Sequence, residues 1–202
     1  MTNDMEELRR ELAAMREEAD ILRRRATDAE EALAAFKPTF EAAHAAGMRR
    51  KLGLLTEQEG DAALAGDLLA GMHANNADFT NTFRQLTDAA SGEPGNAAGV
   101  RSLLRDESAL DEWLGRWRQR LAQEPTDAAT RAANMRVVNP AFIPRNHRVE
   151  AMIRAAVDNN DFAPFEELLG VLLKPYENRP EFVHYTEPPQ EHQRVRATFC
   201  GT

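Results

Sequence analysis

Ser108-Ala109-Leu110-Asp111-Glu112-Trp113-Leu114-Gly115-Arg116-Trp117-Arg118-Gln119-Arg120-Leu121 reads as one amphipathic helix. Leu110, Trp113, Leu114, Trp117 and Leu121 recur every three or four residues, so one face is apolar and the other charged. On such a face a tryptophan pair four residues apart is core rather than a cofactor box. The same period continues on both sides. Upstream, Leu64, Leu68, Leu69 and Met72 form one stripe, and Phe79, Phe83 and Leu86 form another behind a capping Asp78. Thr56-Glu57-Gln58-Glu59 has the spacing of a capping box. Downstream, Thr126 is placed to cap a short helix reaching about Met135, which Asn139-Pro140 ends, because the residue before proline avoids the α region. Val149, Met152, Ile153, Ala156 and Val157 predict a further helix. Phe162, Phe165, Leu168, Leu169 and Leu172 predict the last, stopped before Pro175. Ser91-Gly92-Glu93-Pro94-Gly95-Asn96 is a loop by composition, and Pro175 to Thr202 reads as an irregular tail. No alternating strand and no fixed repeat is present, so the fold class is all-α.

The N-terminal segment carries a different period. Met5, Leu8, Leu12, Met15, Ala19, Leu22, Ala26, Ala29, Leu33 and Phe36 keep a 3-4 spacing without a break, the a/d seam of a coiled coil. With a at Met5, the g-to-e pairs of a parallel dimer are Asp4 with Arg9, Glu11 with Arg16, Glu18 with Arg23, and Arg25 with Glu30. All four are opposite in sign. The alanines at 19, 26 and 29 bury little apolar area, which weakens the middle of the seam. Two readings stand: a homodimer through residues 4–36, or a long solvated helix that packs its stripe on its own body. Pro38 sits where a new helical turn could begin, before Phe40, Ala43, Met48 and Leu52.

The 202 residues carry 25 Lys+Arg against 33 Asp+Glu, a net charge of −8, which disfavours nucleic acid and anionic membrane as partners. Apolar runs such as Leu168 to Leu173 are too short to span a bilayer, and Met1 to Arg10 contains no secretory h-region. The expectation is a cytoplasmic protein with no nucleic-acid and no membrane partner. Chemistry-bearing motifs are scarce. No glycine-rich phosphate loop occurs, and His44, His73, His147, His184 and His192 lack metal-ligand spacing. Asp158-Asn159-Asn160-Asp161 is no calcium loop, since its sixth and twelfth positions are Ala163 and Leu169. Two features stand out. Arg145-Asn146-His147-Arg148 either caps a helix through Asn146 or contacts an anion at a helix N-terminus. The single cysteine, Cys200, excludes an internal disulfide and is either inert or open to thiol exchange.

Several segments together resemble one family. They are Phe40-Glu41-Ala42-Ala43, Gly47-Met48-Arg49-Arg50-Lys51-Leu52-Gly53-Leu54, Ala77-Asp78-Phe79-Thr80, Thr82-Phe83-Arg84 and Thr198-Phe199-Cys200-Gly201-Thr202. The most telling is Met135-Arg136-Val137-Val138-Asn139-Pro140-Ala141-Phe142-Ile143-Pro144-Arg145-Asn146-His147. In this order they resemble the C-terminal part of the SelO (YdiU) family of kinase-like protein adenylyltransferases. The resemblance covers 28–202; residues 1–27 stand outside it as an amphipathic heptad helix. It implies the helical C-terminal part of a kinase-like fold, preceded by a coiled-coil-like helix. It also implies a protein that moves AMP from ATP to Ser, Thr or Tyr hydroxyls with Mg²⁺ or Mn²⁺.

The family's glycine-rich loop, ATP-binding lysine, catalytic aspartate and metal-binding pair correspond to no residue of this chain. Catalytic, cofactor-binding and metal residues are therefore expected to be absent, and the chain alone to be inactive. The resemblance also implies a redox role for Cys200; the family's partner cysteine corresponds to no residue here, so Cys200 would pair in trans or remain free. The expected partner is an N-terminal catalytic half. The alternative is a non-enzymatic helical interaction module that dimerises or binds a partner through the heptad helix.

Overall fold

The computed structural model describes residues 2–92, 98–102 and 107–195. Among them the chain is helical, with no strand. The α-helices are α1 (Thr2–Lys51), α2 (Asp61–Ala74), α3 (Phe79–Ala89), α4 (Ala98–Arg101), α5 (Glu107–Leu121), α6 (Ala128–Arg136), α7 (Asn146–Asn159) and α8 (Ala163–Leu172). The tail is more ordered than its composition predicts, because 3₁₀ segments form at Pro180–Thr186 and Glu191–Gln193. Internal contacts divide the chain into two units, Met1–Ala46 and Gly47–Thr202.

The first unit is helix throughout its described length. Met5, Met15, Leu22, Leu33 and Phe36 of the heptad stripe are all exposed. The helix passes through Pro38 instead of starting there. Proline removes one N–H from the ladder, yet Pro38 is exposed, so water can serve the freed carbonyl. One residue on, the Thr39 hydroxyl donates to Ala35 O at 2.7 Å.

The second unit is built around the tryptophan helix. Trp113 and Trp117 are buried, with ring centroids 5.7 Å apart. Each indole N–H donates to a carbonyl at a neighbouring helix: Trp113 Nε1 to Leu64 O at 2.8 Å, and Trp117 Nε1 to Leu52 O at 2.9 Å. Leu52, Leu64, Leu68, Phe83, Leu86, Val100, Leu114 and Met135 complete this core. A second, smaller cluster joins Phe142, Leu168, Val171 and Tyr185. It is where α7 and α8 pack together.

Helix ends follow from local chemistry, with some departures from the sequence reading. α1 closes in a Schellman turn, with Gly53 at φ 77°, Leu54 N–H donating to Arg49 O and Gly53 N–H to Arg50 O. α2 ends the same way on Asn76, at φ 50°. Asp78 caps α3 as expected, accepting from Asn81 N–H at 2.9 Å. Three predicted caps move. α2 begins after Gly60, and the Thr56 hydroxyl instead donates to Glu124 Oε1 at 2.7 Å. A buried carboxylate 68 residues away has taken the group that a local capping box would use. α6 is capped by Asp127 rather than Thr126; its carboxylate accepts from Thr130 N–H at 2.8 Å. α7 begins at Asn146 with Arg145 in the cap position, because Arg148 and Val149 N–H both close on Arg145 O.

Candidate functional site

Arg145, Asn146 and His147 come together on one wall of an open cleft of about 760 Å³. Pro144 and the extended backbone of Arg145 set the start of α7, and the Asn75–Phe79 turn between α2 and α3 forms the facing wall. The guanidinium of Arg145 reaches across. Its Nη1 donates to Asp78 Oδ2 at 2.7 Å, and its Nη2 to Asp78 Oδ1 at 3.0 Å and Asn81 Oδ1 at 3.3 Å. Burial pushes the Asp78 carboxyl up, but the Arg145 hydrogen bonds, the Asn81 N–H and the Arg145 charge outweigh it and leave it below the ordinary range. The arrangement therefore locks the start of α7 to the start of α3.

His147 is buried, and its Nδ1 has no hydrogen-bond partner. Burial, then the charges of Arg148 and Arg145, hold its imidazole below the usual histidine value; Glu187 acts weakly in the other direction. Asn146 is the first helical residue and lines the same cleft. Cys200 lies outside the described residues.

Two further polar knots escaped the sequence reading. In the first, Arg120 Nε donates to Asp61 Oδ1 at 2.7 Å, and Arg120 Nη1 to Glu124 Oε1 at 2.6 Å. Leu55 and Thr56 N–H groups also donate to Glu124, at 2.9 and 3.1 Å. Burial raises the Glu124 carboxyl, yet the Thr56 hydroxyl, the Leu55 N–H and Arg120 bring it below its ordinary value. In the second knot Asn139, 1% exposed, donates from Nδ2 to Lys51 O at 2.9 Å and to Thr87 Oγ1 at 3.1 Å. Lys51 Nζ returns a bond to Asn139 Oδ1 at 3.3 Å and lies 5.3 Å from the Phe83 ring centroid. Burial lowers the Lys51 pKa. Arg120 and Glu124 stand at the i,i+4 spacing, but their partners Asp61, Leu55 and Thr56, like Lys51 and Thr87 around Asn139, lie tens of positions away, where no spacing rule connects them. Asn139 carried a signal as the break before Pro140, and Thr56 one that pointed to a local cap instead.

These three knots hold helix termini to one another. Among the described residues no group of three His, Cys, Asp or Glu side chains is placed to hold a metal ion, and no helix is long and apolar enough to cross a membrane.

Comparison with known proteins gives the chain its relatives. The family model described as "Protein adenylyltransferase SelO" matches residues 1–173, a span that includes the heptad segment. The chain is 61% identical over 175 residues to the "Protein nucleotidyltransferase YdiU" of Bradyrhizobium sp. (strain BTAi1), covering 87% of this chain and 35% of that protein. It is 58% identical over 177 residues to the protein of that name from Rhodopseudomonas palustris (strain BisB18), with coverage of 87% and 35%. For the protein of that name from Methylorubrum extorquens the figures are 56% over 180 residues, 87% and 36%. The chain thus spans about a third of the length of the curated relatives it matches. The motif segments, the helical architecture and this match agree: the chain belongs to the SelO (YdiU) family of protein nucleotidyltransferases.

Proposed function

We propose that this chain is the helical C-terminal scaffold of a SelO-type protein adenylyltransferase and transfers nothing by itself. In the whole protein, AMP would pass from ATP to Ser, Thr or Tyr hydroxyls of protein substrates with Mg²⁺ or Mn²⁺. The observation that carries the reading is the commitment of the buried polar groups to one another. Asp61 and Glu124 are held by Arg120, and Asp78 by Arg145. A nucleotide–metal site needs carboxylates free to take a cation. These committed carboxylates do not fit the metal that accompanies ATP. The scaffold instead presents preformed helix ends to an N-terminal catalytic half. The test is label transfer from α-labelled ATP to the chain itself and to a mixture of acceptor proteins, with Mn²⁺ and Mg²⁺. No transfer is expected; metal-dependent labelling by the purified chain would overturn the reading.

A second reading has its own support. The exposed stripe of α1 with its opposite-sign g-to-e pairs suits a parallel homodimer through residues 4–36. In that case Leu12→Glu with Leu22→Glu converts a dimer to a monomer in light scattering, while a wild-type chain that is monomeric at tens of micromolar contradicts it.

A further inference from the structure

A second cleft, of about 370 Å³, lies between α3 and the segment running from Asn178 to Thr186. Two arginines line it, and among the described residues neither has a carboxylate in an ion pair. Arg84, 7% exposed, donates from Nη1 to Asn139 O at 2.9 Å, and from Nη2 to Tyr176 O at 3.1 Å and to Asn178 Oδ1. All three acceptors are neutral. Arg179 donates from Nη2 to Val171 O at 2.6 Å and Gly170 O at 3.2 Å, at the end of α8. Its guanidinium lies over the rings of Phe182 and Phe142, at 4.8 and 5.4 Å from their centroids. The Nε atoms of both arginines are buried and have no hydrogen-bond partner.

The electrostatic balance is unusual for a protein interior. Buried charges are ordinarily paired, since removing a guanidinium from water costs several kcal/mol. In the knots of Arg120 and Arg145 the arginine meets a carboxylate directly, at 2.6 to 2.7 Å. Here the carboxylate that lines the cleft, Asp88, pairs with Arg136 at 3.7 Å. Burial lowers the Arg84 pKa, Asp88 raises it only in part, and Arg136 lowers it again. Among the described residues, two cations thus face one cleft with a single carboxylate that a third cation shares. Ala141, Phe142, Pro180 and Val183 give the cleft an apolar part of its lining.

We propose that this cleft binds a small organic oxyanion, a phosphate or carboxylate carried on a compact apolar body. The two oxygens of such a head group suit a guanidinium and would offset both charges. The apolar part of the lining suits the body. The volume falls within the range of small-molecule sites, roughly 300–1,000 Å³. The inference stands on this cleft alone and does not rest on the scaffold reading above.

The experiment is calorimetric titration of the full chain with phenyl phosphate, benzoate and inorganic phosphate, at ionic strength held constant with sodium chloride. The expected result is one saturable site for phenyl phosphate or benzoate, at least tenfold tighter than for inorganic phosphate. The tighter of the two assigns the head group. Val183→Glu places a carboxylate on the rim at an exposed position. It should reduce binding tenfold or more without lowering the melting temperature. Arg179→Gln should reduce it likewise. No binding of phenyl phosphate or benzoate by the folded wild-type chain would overturn the proposal, as would equal binding by the folded Val183→Glu or Arg179→Gln chain.

Discussion

Arg145 grips both carboxylate oxygens of Asp78 from 67 residues away, at 2.7 and 3.0 Å, and so joins the first turns of two helices. Asp78 also caps its own helix, so one carboxylate serves a local and a long-range role. Removing the arginine leaves the half-buried Asp78 carboxylate without its cationic partner. Arg145→Ala should cost about 3 kcal/mol, in line with other broken buried pairs. Arg145→Lys should recover only part of that, since an ammonium cannot donate the parallel pair. Urea unfolding monitored by tryptophan fluorescence reads both, because Trp113 and Trp117 are buried in the same unit.

Gly53 and Gly47 should respond in opposite ways to alanine. Gly53 sits at φ 77°, and a Cβ there would lie 2.7 Å from Met135 Sδ and 3.0 Å from Arg131 Cγ. Gly53→Ala should destabilise by about 1–3 kcal/mol through backbone strain and the clash. A Cβ on Gly47 meets nothing within 4 Å. Gly47→Ala, inside α1, should be neutral or stabilise by up to about 1 kcal/mol. Denaturant midpoints of the two variants check the contrast.

His147 ties stability to pH. Its imidazole is depressed by burial and by Arg148 and Arg145, so the unfolded chain takes up the proton first, near pH 6.5. The stability it allows is fully present above that pH and is lost as pH falls from about 6.5 toward the lower folded value. His147→Gln should therefore lose less stability than wild type between pH 7.5 and 5.5. The difference should be about a few degrees of melting temperature, read by scanning calorimetry.

Asp78 and Glu124 act at lower pH. Both carboxyls are held below their ordinary range, so their contribution is complete above about pH 5. It disappears as pH falls through the folded values. Acid unfolding of wild type should begin below about pH 4. Arg120→Gln, which removes a partner of Glu124 and of Asp61, should move its onset upward.

The local parts of this fold were legible and the distant ones were not. The stripe from Leu110 to Leu121 gave the central helix and its buried tryptophans, because a 3.6-residue period needs only one segment to be read. Asp78 as a cap was equally local. Thr56 misled because its hydroxyl answers to Glu124, a residue with which no pattern links it. Pro38 misled because propensity forbids a proline inside a helix, while an exposed face tolerates it. Of the cluster at 145–147, the sequence marked the residues, and only the fold revealed that Arg145 answers to Asp78. Arg84 was visible as part of a family segment, but its neutral acceptors at Asn139, Tyr176 and Asn178 come from 55 to 94 residues away.

The measurement that tests the central claim most directly is calorimetric titration of the purified, folded chain with ATP and Mg²⁺ or Mn²⁺. A scaffold whose buried carboxylates Asp61, Glu124 and Asp78 are already held by arginines should show no saturable, metal-dependent heat. A one-to-one isotherm that appears only with the metal would contradict that account and place a nucleotide site within these 202 residues.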